Sequence, residues 1–84
     1  MPPRRRSQPD SPEQAALGEA VRRLRQQAGL SQEELAERVD TDLSQVGGIE
    51  RGTRNPTFVT LVRFAAALDT TVGAIATLAD EIRS

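Results

Sequence analysis

Apolar residues recur along this chain at spacings of three and four, the period of a helix buried on one side, and no stretch alternates as a strand would. Five such stretches can be marked. In the first, Ser11 is a cap, Pro12 takes the first helical position and Gln14 follows three residues after the cap. Leu17, Ala20, Val21, Leu24 and Ala28 then form an apolar face, with Glu19, Arg22, Arg23 and Gln26 on the others, and Gly29 is expected to close the helix in left-handed geometry. The second opens on Ser31 and Glu34, spaced as a capping box, with Leu30 able to staple against Leu35; Leu35, Ala36 and Val39 are its inner face. Asp40, Thr41 and Asp42 make a polar break of the length that joins two helices at a steep angle. Asp42 and Gln45 repeat the cap-and-return pattern for a third helix from Leu43 to Gly52, with Val46 and Ile49 inward and Leu43, Ser44, Gln45, Gly47 and Gly48 expected at outward or rim positions. After a turn-rich loop over residues 51–56, Thr57 caps a fourth helix whose core set is Phe58, Leu61, Val62, Phe64, Ala65 and Leu68. Thr71 caps a fifth, Val72 towards Ile82. The expected fold class is therefore all-α, a five-helix domain over residues 11–84.

Residues 1–10 stand outside this pattern. They hold three Pro, three consecutive Arg and no large apolar residue beyond Met1, so burial cannot offset the entropy of ordering them, and a mobile arm is expected. Arg4, Arg5 and Arg6 suit either a minor-groove or phosphate-seeking arm or a solubilising tail, and the sequence leaves both open.

Composition removes most chemistry. With no Cys and no His, the chain lacks disulfides, the usual zinc ligands, thiol nucleophiles and the commonest proton-transfer group. Its carboxylates are scattered over helix surfaces, so an enzyme is not expected, nor any cofactor or metal. No apolar run reaches the roughly 20 residues of a membrane span, which points to a soluble, cytoplasmic protein. All eleven basic residues are Arg, yet the formal net charge is −1. A polyanion-binding surface must then come from how charge is distributed.

Two segments in the right order and separation carry a resemblance: Ala28-Gly29-Leu30-Ser31-Gln32-Glu33-Glu34-Leu35-Ala36, then Ile49-Glu50-Arg51-Gly52 with Arg54-Asn55-Pro56. Over roughly residues 15–78 the chain resembles the Cro/repressor-type, or xenobiotic-response-element-like, helix-turn-helix family of transcriptional regulators. The resemblance implies a compact lambda-repressor-like DNA-binding bundle, its helix-turn-helix within residues 30–56, the third helix lying in the major groove of double-stranded DNA. It implies backbone contacts from Ser31, Gln32, Arg51, Thr53, Arg54 and Asn55, and base contacts from Thr41, Leu43, Ser44 and Gln45. Gln45 suits the N6/N7 edge of adenine, and Leu43 a thymine methyl group. Arg25 and Glu50 are expected as a structural ion pair tying the first helix to the third. As a regulator the protein would be nucleoid-associated and a homodimer on an inverted repeat.

Gly47 and Gly48 depart from the family, whose members usually carry larger polar side chains there. Together they weaken the helix by roughly 2 kcal/mol, which asks for a reason such as close approach of DNA or of a protein partner. An antitoxin-like interaction module with weakened DNA reading is accordingly the second expectation. Ile75, Leu78 and Ile82 on the last helix form either a dimer face or ordinary packing onto the first helix.

Overall fold

The computed structural model describes residues 8–84, which form five helices: α1 Pro12–Gln27, α2 Gln32–Arg38, α3 Leu43–Arg51, α4 Phe58–Ala67 and α5 Val72–Arg83. Each begins where a short oxygen-bearing side chain accepts from the backbone N–H three residues on. The pairs are Ser11 with Gln14, Ser31 with Glu34, Asp42 with Gln45, Thr57 with Thr60 and Thr71 with Ala74. At α2 the box is reciprocal, because Glu34 Oε1 also accepts the Ser31 N–H at 2.9 Å. At α3 only the forward half forms; the Gln45 side chain is used elsewhere. The expected arm over residues 1–10 lies outside the described residues except at its end, where the Asp10 N–H donates to the Gly52 carbonyl at 2.9 Å.

One buried cluster gathers residues from all five helices, with Phe64, Leu35, Ile49, Ile75, Val21 and Val46 its largest fully enclosed side chains. Each contributes about 1.5–3 kcal/mol by leaving water, which is how a seven-residue helix such as α2 persists. α1 lies against both α3 and α5, and α5 leaves α4 at 98° after Asp69, whose φ of 55° is left-handed. Asp40 makes the same move between α2 and α3 with a φ of 56°. Among the described residues no single helix is long and apolar enough to cross a membrane.

Two expectations about the core, at α4 and at Ala28, are corrected, and of the two alternatives for the α5 face packing onto α1 is the one seen. Phe58 and Val62 are 69% and 45% exposed, because α4 buries only the stripe through Phe64, Ala65 and Leu68 and its first turn extends past the neighbouring helices. Ile75 is a core residue, while Leu78 and Ile82 pack partly buried against the same cluster, since α5 turns this face to α1. Ala28 is an exposed cap residue, followed by Gly29 at a φ of 73°.

The tightest contact in the fold was not anticipated. A Cβ on Gly18 would overlap the carbonyl oxygens of Ile49 and Glu50, so the backbones of α1 and α3 approach as closely as only glycine permits. Gly52, at a φ of 79°, is pressed in the same way by Ala15 and Pro9, each 3.0 Å from where its Cβ would stand. A glycine inside a strongly periodic helix was the available signal for such packing.

Gly18→Ala is expected to cost about 2 kcal/mol or more in spite of alanine's better helix propensity, lowering Tm by roughly 10 °C. Gly73→Ala, whose Cβ would meet only Thr71 Oγ1 at 3.9 Å, should instead stabilise by up to about 1 kcal/mol. Thermal melts of the two variants check both, and an unchanged Tm for Gly18→Ala would show that α1 can lift from α3 without cost.

Candidate nucleic-acid interface

Beneath the exposed side of α3, three helices meet at one carboxylate. The Glu50 side chain, 3% exposed, accepts from Arg25 Nε at 2.6 Å and Arg25 Nη2 at 3.1 Å, and from Gln32 Nε2 at 2.9 Å. Arg25 Nη1 reaches further to the Leu30 carbonyl at 2.8 Å. This two-pronged arrangement raises the Arg25 pKa above its ordinary value, chiefly through the hydrogen bond to Glu50, so the guanidinium stays charged. The result is a bolt from α1 through the α1–α2 turn and α2 into α3.

The same geometry gives two residues expected at a phosphate partners within the chain. Gln32 donates to Glu50, so it holds α3 in place. Ser31 is committed to its capping box, and the Glu34 carboxylate already sits over the first turn of α2. The partial positive charge of that helix start is therefore answered from within the chain.

At the surface of α3, Leu43 is 45% exposed, Ser44 is exposed and Gln45 and Thr41 are half-buried. Gly47 and Gly48, expected outward and bare, are buried. Arginines cover them. A Cβ on Gly47 would stand 2.9 Å from Arg51 Nη1, and one on Gly48 would stand 2.6 Å from Arg54 Cγ and 2.8 Å from its Cδ. Arg54 thus folds back along α3, giving Nη1 to Gln45 Oε1 at 2.8 Å and Nη2 to Ser44 Oγ at 3.1 Å.

The loop that carries Arg54 is fixed by α3 itself. The Gly48 carbonyl accepts the N–H groups of Thr53 and Arg54 at 2.9 and 3.2 Å and the Thr53 hydroxyl at 3.2 Å. Asn55 is exposed beside it. Among the described residues Arg51 and Arg54, like Arg38 on α2 and Arg63 on α4, have no carboxylate partner, whereas Arg22 and Arg23 pair with Glu19, Arg25 with Glu50 and Arg83 with Glu13. Two uncompensated positive charges therefore stand on one ridge, next to the exposed first turn of a helix packed across α2.

That order of helices, with a short α2 and a following helix bolted to it, has known relatives. A helix-turn-helix family matches residues 21–75, from the middle of α1 into α5. The chain belongs to this helix-turn-helix family of transcriptional regulators. It is 38% identical over 65 residues to the uncharacterized HTH-type transcriptional regulator y4dJ of Sinorhizobium fredii, covering 77% of this chain and 84% of that one. It is 45% identical over 56 residues to the control protein C.SmaI of Serratia marcescens, 67% of each. Among solved structures it resembles the restriction-modification controller protein C.AhdI of Aeromonas hydrophila, with a TM-score of 0.72 and 42% identity, over 74% of this chain and 94% of that one. Within this helix-turn-helix family, α2 and α3 of the present chain are the two helices of the motif.

Glu50→Ala is expected to destabilise the fold by about 3 kcal/mol, because it strands a nearly buried guanidinium, while Glu19→Ala, on the exposed pair, costs under about 1 kcal/mol. Urea unfolding measures both. The capping box adds a pH dependence. The Glu34 carboxyl is held below its ordinary value by the Ser31 backbone N–H and then by the Ser31 side chain. A carboxylate whose pKa is lowered on folding contributes stability that is fully present above its unfolded value and is lost as pH falls through its folded value. The urea midpoints of wild type and Glu34→Gln should therefore differ most near neutrality and converge as pH falls below the ordinary carboxylate range.

Proposed function

We propose that this regulator acts as a homodimer on a two-fold symmetric operator in double-stranded DNA, with α3 in the major groove and the loop over residues 51–55 on the phosphate backbone. The observation that carries this is the ridge formed by Arg51 and Arg54, both exposed and without a carboxylate partner, beside the exposed residues at the start of α3. Arg51, Thr53 and Asn55 serve the backbone, while Leu43, Ser44 and Gln45, with Thr41 at the rim, face the base edges. The protein is read as cytoplasmic, nucleoid-associated and without catalytic activity.

Dimerisation is assigned to α4 and not to the inward face of α5. Phe58, Val59 and Val62 expose 69%, 58% and 45% of their surfaces within little more than one turn, an apolar patch that a second copy would cover. The chain measures 42 × 29 × 22 Å, so two copies can stand side by side on half-sites about 34 Å apart. Pairing doubles the phosphate contacts of a chain whose net charge is −1.

Binding to random genomic fragments across a salt series is the test. Wild type should enrich a defined inverted repeat and lose affinity steeply with salt, and Arg51→Ala should reduce the salt slope by about 1 per subunit. A flat salt response without an enriched site would contradict DNA binding. In sedimentation, Val59→Asp should convert the dimer to a folded monomer.

A further inference from the structure

We propose that Arg54 is the residue that sets base preference and that it selects guanine, with Gln45 and Ser44 as its positioning residues and Gly48 as the seat that admits it. The inference rests on the DNA-binding reading above and names the chemistry of its specificity. Ser44, Gln45 and Gly48 lie on one face of α3, at spacings of three and four residues. The aliphatic part of Arg54 occupies the space a side chain at position 48 would fill, and its guanidinium ends over Ser44 and Gln45. The guanidinium lies along the helix.

The hydrogen bonds fix the polarity of the surface. Gln45 Oε1 accepts from Arg54 Nη1, which turns the amide oxygen towards the arginine and leaves the Nε2 donors outward. Bidentate recognition of adenine by glutamine needs that oxygen to accept from N6. With it engaged, Gln45 and Arg54 together offer N–H donors. Guanine, with N7 and O6 both accepting in the major groove, is the base that complements them. The two side-chain bonds also hold a flexible arginine in one geometry before DNA arrives, which reduces the entropy lost on binding. The glycine at 48 is thus the condition for a reader supplied from outside the helix.

The experiment is selection from a random duplex library, followed by affinity measurements on the selected site and on its guanine-substituted variants, with wild type, Arg54→Ala and Gly48→Ala. Wild type should select a guanine in each half-site and discriminate against its replacement by about tenfold to a hundredfold. Arg54→Ala should make that one position degenerate while the others persist. Gly48→Ala, which keeps Arg54 but fills its seat, should lose the same discrimination while remaining folded by circular dichroism. If Arg54→Ala lowers affinity by one factor on every sequence, with the motif intact and the salt slope reduced by about 1, Arg54 is a phosphate contact and the inference falls while the DNA-binding reading stands. If wild type enriches no motif, both fall.

Discussion

The orientation of α3 depends on one buried carboxylate. Glu50 receives a two-pronged arginine from α1 and an amide from α2, and the arginine continues to the carbonyl that ends the α1–α2 turn. A buried ion pair of this kind adds little net stability over a well-packed apolar substitute. What it supplies is direction: three helices cannot rotate relative to one another without stranding a charge. The backbone contact at Gly18 fixes distance where the Glu50 cluster fixes angle, and both act on the last turn of α3.

Charge is organised by the same scaffold. Arginines on α1 and α5 find glutamates, and seven of the twelve carboxylates lie on α1, α2 and α5. Arg51 and Arg54 remain uncompensated at the end of α3 and in the loop after it. A protein with net charge −1 can thus present a locally cationic ridge.

The helices were legible because every start is signed locally. Ser11, Ser31, Asp42, Thr57 and Thr71 each bond their own third neighbour, and such signals need no tertiary information. The apolar period located Phe64, Leu35 and Ile49 correctly for the same reason. It failed at Phe58 and Val62, because period tells which side of a helix is apolar and not whether a neighbour reaches that turn. The contacts of the candidate site residues were not legible. Gln32 and Gln45 look equivalent in sequence, two amides at helix starts, yet one is held by Glu50 and the other by Arg54. Their partners lie eighteen and nine residues away, across a packing arrangement that no local pattern encodes. Gly47 and Gly48 were readable as an anomaly, and only the path of the two arginines explains them.

The division between buried holder and exposed surface has a consequence for how this protein can change over time. Leu43 contributes neither to the Glu50 cluster nor to the hydrogen bonds that hold Arg54, so a new residue there would alter surface chemistry while leaving the bundle's stability almost untouched. Gly48 is the exception. Any side chain there must displace Arg54, so an innovation at this position arrives only together with a second one in the loop. Lineages descending from such a chain would drift freely at position 43 yet cross between glycine and larger residues at 48 in paired steps.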